Sequence, residues 1–309
     1  VIVDVAAHVH PPRYAARVAA TDSPYREDVR ALTDVGARLE MIDRFPGYRQ
    51  VASVAVPPPE TLVDAARLPY LCAELNEELA GLVADHPRRF PGAFGQLPLC
   101  DPRATEREIA RFADLGLVGF QCHTDLDGRP LDDPAVLPTL ETALSAGLPC
   151  LLHPARMPIP DYPGEAESEH GLWRTFGWPY ATTVALARLA HAGLFRRVPD
   201  AVVIAHHGGA MVPFFEGRLS EAVRADLRRA YADTAVSGSA AAARCALDFF
   251  GAERVLFGSD TPFGPGGGLD YIEQTIGIMD RLGVSAEARS AIEHGTAERL
   301  LLAPRGGER

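Results

Sequence analysis

Short apolar runs recur along the chain, and polar residues stand at their ends. Residues 1–5 (VIVDV), 149–152 (PCLL), 201–205 (AVVIA) and 254–259 (RVLFGS) lead into His8, His153, the pair His206 and His207, and Asp260. Gly or Pro follows each within a few residues, which is how a strand buried on both faces ends. Four further runs, at 50–56, 92–97, 117–122 and 231–236, bring the predicted strands to eight. Between them, apolar residues at helical spacing predict helices over 102–115, 137–146, 182–195 and 238–250. Strand and helix alternating from end to end imply parallel strands joined by crossover helices. Eight such units in 309 residues have the size of an α/β fold of the (β/α)8 barrel type. An open doubly wound sheet would want a GxGxxG loop after strand one, and the sequence there reads HVHPP instead.

One barrel domain over residues 1–309 is therefore expected. Two stretches fit the repeat poorly: residues 21–49 and 156–180 are long, contain Pro and aromatic side chains, and are expected to roof the mouth of the barrel. The glycine-rich segment 262–268 reads as a flexible lip, and the tail 304–309 as a frayed end.

Composition narrows the partners. With 41 acidic against 30 basic residues the net charge is −11, which argues against a nucleic-acid surface and means that an anionic substrate needs a local positive site. Five cysteines, at 72, 100, 122, 150 and 245, lack CxxC spacing and lie mostly in apolar stretches, so they read as reduced core thiols. No signal segment is visible at the start, and no apolar stretch approaches the roughly 20 residues of a membrane span. A cytoplasmic protein with no membrane and no nucleic-acid partner is the expectation.

Polar groups at several strand ends imply one shared mouth, where histidine and carboxylate serve a divalent metal or an acid/base site. By the period of two, Asp4, Ala6, His8 and His10 share a face if strand one runs that far, so His8 and His10 offer two imidazoles to one metal. His153 and Asp260 supply the further donors of a site with an open position. His206 and His207 are adjacent and cannot both face the axis of a regular strand. One is expected to carry protons in the pocket while the other packs or orients it. Against these stand plainer readings. His86, His170, His191 and His294 are surface or capping residues, and His123 faces the mouth without an assigned role. Asp233 lines the pocket or caps the next helix. Trp173, Trp178 and Tyr180 are packing residues placed near enough to stack on a ligand. Arg44, Arg156 and Arg174 are the cations available to balance a carboxylate, each also read as a solvated surface group.

Asp4-Val5-x-x-His8-x-x-Pro11, His153-Pro154, His207-Gly208-Gly209 leading to Pro213 and Gly217-Arg218, and Gly258-Ser259-Asp260-Thr261-Pro262-Phe263 together resemble the amidohydrolase-related family. This metal-dependent barrel group contains aminocarboxymuconate-semialdehyde decarboxylase, resorcylate-type decarboxylases and some hydratases and hydrolases. The resemblance implies metal binding at His8, His153 and Asp260 and an acid/base role for His207. Members usually read Asp-x-His-x-His-x-x-Pro in strand one. Anchoring that pattern on Asp4 and Pro11 puts Ala6 where a ligand belongs and leaves His10 as a replacement donor; a slip by two makes His8 and His10 the pair. Zinc is the first choice of metal, a small carboxylate the substrate, and a homodimer the oligomer that the resemblance suggests. The reaction it points to is metal-assisted decarboxylation of a small aromatic or unsaturated carboxylate. A hydrolase or hydratase using metal-bound water, a metal-free acid/base lyase in the same pocket, and a catalytically idle relative are the alternatives.

Overall fold

The computed structural model describes residues 1–54 and 56–303; the tail expected to fray, 304–309, lies outside them. Eight parallel strands form the barrel sheet: β1 (Ile2–Val9), β2 (Tyr48–Val54), β3 (Gly92–Gln96), β4 (Gly119–His123), β5 (Cys150–His153), β6 (Val203–Ala205), β7 (Tyr231–Asp233) and β8 (Val255–Leu256). They are hydrogen-bonded in chain order from β1 to β8. All eight expected strands are present, with ends that shift or shorten by up to three residues, while β1 runs four residues beyond the apolar run that predicts it. Helices Pro102–Phe112, Leu137–Ser145, Gly177–His191 and Ala240–Phe250 match the expected ones, and Asp101 and Ser239 cap two of them by accepting from Ala104 N and Ala242 N. The long helix Leu68–Asp85 was not among those expected. It buries Leu71, Leu75 and Leu79 at a spacing of four against the sheet, but its mean pattern is apolar enough on other faces to blur the period.

Two cores follow from the period of the strands. Inside the barrel, Val3, Val5, Val51, Phe94, Leu151, Ile204, Tyr231 and Leu256 pack together, closed at the amino-terminal end by Ala297 and Leu301. The alternate residues, such as Ala52, Val54, Ala93, Phe120, Leu152 and Val203, belong to the layer between strands and helices. Two steps along the chain from the inner residues stand Ser53, Gln96, His153, His206 and Asp233, all buried. The same alternation that fills the floor of the barrel therefore aims polar groups into its carboxyl-terminal mouth.

Strand β1 obeys this only because it carries an extra residue. Asp4 pairs with Gln50 and Ala7 with Ala52, a step of three opposite a step of two, after which His8 pairs with Ser53. Without that bulge, the alternation begun by Val3 and Val5 would turn Ala7 inward and His8 outward. The expectation that Asp4 and His8 share a face is thus corrected. Asp4 faces the outer layer, where it accepts hydrogen bonds from Ala6 N (3.0 Å), Ser259 N (3.1 Å), Ser259 Oγ (2.5 Å) and the Tyr48 hydroxyl. The two Ser259 bonds join β1 to the segment after β8. The seam between the two strands is otherwise held by Val5 N to Phe257 O (2.9 Å), Asp260 N to Ala6 O (2.9 Å) and His8 N to Thr261 O (2.8 Å).

Among the described residues, no helix is long and apolar enough to cross a membrane. Cys72, Cys122 and Cys150 are buried as expected, Cys245 is half-buried, and Cys100 is exposed.

Candidate metal centre and active site

His8, His153, His206 and Asp260 converge at the mouth, each offering one ligand atom, and these atoms lie within 4.8 Å of one another. Different strands deliver them: His8 from β1 after the bulge, His153 as the last residue of β5, His206 just past β6 and Asp260 beyond β8. Each ring is fixed from behind. Ser53 Oγ lies 2.9 Å from His8 Nδ1, His153 Nδ1 is 2.8 Å from the carbonyl of Pro154, and His206 Nδ1 is 2.5 Å from Asp233 Oδ2. With the δ nitrogens engaged, the ε nitrogens point to the common centre. His8 Nε2 and His206 Nε2 approach Asp260 Oδ1 at 3.2 and 3.4 Å without forming hydrogen bonds of proper geometry, so both are buried nitrogens lacking a partner. Buried nitrogens of this kind need an explanation, and a cation bound among them supplies one. Three imidazoles and a carboxylate are also a donor set suited to a divalent transition metal.

Both histidines of the adjacent pair reach Asp260 because the strand ends at Ala205. His207 adopts a left-handed backbone conformation (φ +58°) and brings its Nε2 to 3.7 Å from Asp260 Oδ2, and Asp260 itself has φ +66°. Non-glycine residues are uncommon there, and such strain gathers at functional sites. The two rings of the pair lie 3.9 Å apart. They differ in access: His206 is fully buried, whereas His207 forms part of the wall of a cavity of about 770 Å³.

The electrostatics follow from this crowding. Burial disfavours the charged forms of His8, His153 and His207 and lowers all three, His153 furthest. For His206 burial acts the same way, but the carboxylates of Asp233 and Asp260 outweigh it and push its pKa up to about 10. Burial would raise Asp260, yet His206, His207 and His8 hold it well below the usual carboxylate range. The two carboxylates thus make His206 the most basic imidazole of the cluster, the position at which a bound cation would compete with a proton.

Not every expected residue comes to the centre. Strand β1 stops at Val9, and His10 donates its backbone N–H to Leu32 O while its Nε2 lies 3.2 Å from the carbonyl of Val56 and its ring packs on Tyr14. It is outside the four-residue group, because the period that pairs it with His8 ends with the strand. Ala6 offers only a methyl group, buried against Gly258 beside Asp233. Asp233 neither lines the cavity nor caps the next helix; it is buried behind His206 and also accepts from Gly208 N and Ala235 N. Its signal was its place at the end of β7, two residues beyond an inward Tyr231. His123 ends β4 in register with His153, its ring 5.8 Å away.

Both long connections contribute to the cavity wall. Glu27 and Val29 from the first, and Arg174, Phe176 and Trp178 from the second, line the cavity together with Phe263 from the lip. Arg174 joins the two connections by an ion pair with Glu27 and a 3.2 Å hydrogen bond to Pro24 O, and it packs over Trp173 and Trp178. Of the three candidate arginines, Arg174 is the one on the wall of this cavity; Arg44 lines a neighbouring depression and Arg156 packs over Tyr180.

Glu60 is a buried acid that the sequence did not single out. Its Oε1, 4.0 Å from His123 Nδ1, has no hydrogen-bond partner, and burial pushes its pKa up to about 8. Since this lies above the ordinary range of a glutamic acid, the folded chain holds more protons than the unfolded one across that interval. The contribution of Glu60 to stability is thus complete at low pH and is lost as pH rises through about 8. Urea unfolding of wild type and Glu60→Gln over this range is expected to show a flatter fall with pH in the variant. Parallel curves would count against this origin.

A parallel barrel with histidines and a carboxylate gathered at the carboxyl ends of its strands defines an enzyme of the amidohydrolase kind. The chain belongs to the amidohydrolase family, whose model matches residues 5–302. It is similar to 2-amino-3-carboxymuconate-6-semialdehyde decarboxylase of Dictyostelium discoideum, 31% identical over 156 residues that make up 50% of this chain and 42% of that one. Gamma-resorcylate decarboxylase of Polaromonas sp. is 28% identical and matches 85% of this chain and 86% of its own. The solved dihydroxybenzoic acid decarboxylase of Polaromonas sp., a structure with bound manganese, shares the fold at a TM-score of 0.80, with 23% identity over 97% of this chain and 96% of that one.

Proposed function

We propose that this chain is a metal-dependent decarboxylase of a small aromatic carboxylate, acting at the floor of the roofed cavity. The observation that carries the reading is the convergence of buried, unpartnered imidazole nitrogens and Asp260 beneath a cavity whose wall includes His207. His8, His153 and Asp260 would hold the ion, and the nitrogen-rich donor set favours zinc. When bound, a divalent ion neutralises the substrate carboxylate or a neighbouring phenolate oxygen.

The residues of the chain supply the rest. His207, neutral at the start and beside Asp260, is placed to exchange a proton with substrate in the cavity. As the carbon–carboxyl bond breaks, carbon dioxide leaves, the bonding pair stays on the ring carbon, and a proton drawn from solvent and relayed by His207 bonds to that carbon. Trp178 and Phe263 narrow the cavity and limit water at that carbon. Arg174 is a cation within this otherwise acidic protein, and its guanidinium can orient an anionic group. The same reading takes residues 1–309 as one barrel domain roofed by 21–49 and 156–180.

Zinc- or manganese-loaded protein is expected to release labelled carbon dioxide from carboxyl-labelled 2,6-dihydroxybenzoate or a related hydroxybenzoate, and dialysis against a chelator to abolish it. Incorporation of labelled water oxygen without carbon dioxide release would favour a hydrolase or hydratase. Turnover that survives complete removal of metal would move the reading to a metal-free acid/base lyase.

A further inference from the structure

We propose that a second cavity, separate from the metal centre, binds a small organic carboxylate with an apolar body. Its volume of about 760 Å³ matches that of the roofed cavity, and the two walls share no residue. Clefts of this size are typical of small-molecule sites. It lies among the segments that follow β2, β3 and β4, with Arg17 of helix Pro12–Ala19 at one side. Leu62, Leu97, Leu99 and Leu126 give it an apolar lining. Around them stand three guanidinium groups, those of Arg17, Arg67 and Arg129, against two carboxylates, Asp64 and Asp127.

These cations are available to a ligand. Among the described residues Arg67 and Arg129 make no ion pair, and Arg17 has a single one, 3.4 Å from Glu74. Arg129 pairs directly with Leu126 in the hairpin 125–130, so the two side chains share a face, and an acid held by the first lays its body on the second. Arg67 immediately precedes the 18-residue helix Leu68–Asp85, which begins on the cavity wall with no side-chain cap and no acidic residue in its first turn. The positive end of the helix dipole therefore adds to the guanidinium. Glu60 completes the site. Its side chain is 12% exposed, and its Oε1 is buried without a hydrogen-bond partner. Because burial keeps this group protonated near neutral pH, it offers a ligand an O–H donor rather than a repelling charge. Inorganic phosphate would leave the leucine lining uncovered, whereas an organic acid uses both the cations and the leucines.

The test measures binding rather than turnover. Equilibrium dialysis of the full chain against radiolabelled benzoate in the presence of Zn2+ is expected to show one benzoate bound at least tenfold more weakly in the double variant Arg67→Gln, Arg129→Gln than in wild type. Both arginines are exposed and unpaired, so the variant is expected to fold, which melting by circular dichroism checks. Glu60→Gln keeps a neutral donor and should bind within about threefold of wild type. Leu62→Asp, which sets a carboxylate among the leucines, should lose that benzoate. Equal binding by wild type and the folded double variant overturns the inference, and so does a wild type that binds no benzoate. Displacement of this benzoate by an equal concentration of inorganic phosphate also overturns it, since the leucine lining would then contribute nothing. The chains compared share one metal centre, so a protein inactive on hydroxybenzoates refutes the proposed reaction without touching this result.

Discussion

Asp260→Asn and His207→Asn are each expected to lower turnover by roughly 10²- to 10⁴-fold, the range in which a positioned acid/base group contributes, while moving the thermal midpoint only slightly. Asparagine is the informative replacement at both positions. The native residues have positive φ, +66° and +58°, and asparagine tolerates that region better than most residues, so backbone strain is not added to the chemical change. At Asp260 it removes the charge to which three histidines are drawn. At His207 it removes the imidazole from the cavity wall. Initial rates on a processed hydroxybenzoate, read beside calorimetric melting, separate the effects. Near-normal turnover in either folded variant would remove that residue from the proposed mechanism.

Asp4→Ala is expected to act on stability instead, costing about 3–5 kcal/mol as the loss of a buried charged hydrogen-bonding partner does. The carboxylate accepts from Ala6 N, Ser259 N, Ser259 Oγ and Tyr48, all buried. Removing it strands four donors at once. Burial holds its pKa up to about 6, above the ordinary carboxylate range, so the contribution of Asp4 is complete in acid and falls as pH rises through about 6, and the loss on substitution should be greatest in acid. Urea unfolding at pH 7 measures the change, and a cost below about 1 kcal/mol would show that the seam is held by its backbone bonds.

The barrel could be read from sequence because burial on both faces forces its strands into short apolar runs and turns close them. The same rule exposed His8, His153, His206, His207 and Asp260, since a polar residue directly beyond such a run has the mouth as its surroundings. What could not be read depends on partners from distant strands. Asp233 looked like a lining or capping acid until β6 brought His206 against it. His10 looked equivalent to His8 because a strict alternation hides where a strand stops. Glu60 lies in a short turn with no pattern of its own, and only its packing near His123 makes it unusual. The helix Leu68–Asp85 was missed because its apolar residues spread beyond one stripe.

The extra residue in β1 makes the spacing of this stretch as consequential as its composition. With every residue kept but the bulge absent, β1 would pair with β2 residue for residue from Asp4 onward, an unbroken ladder with the same hydrogen-bonding groups and the same hydrophobicity. His8 would then turn toward the helices, and an aliphatic side chain would occupy its place beside Ser53. The strand would survive as architecture and fail as chemistry, so the register of this stretch matters more than most replacements within it.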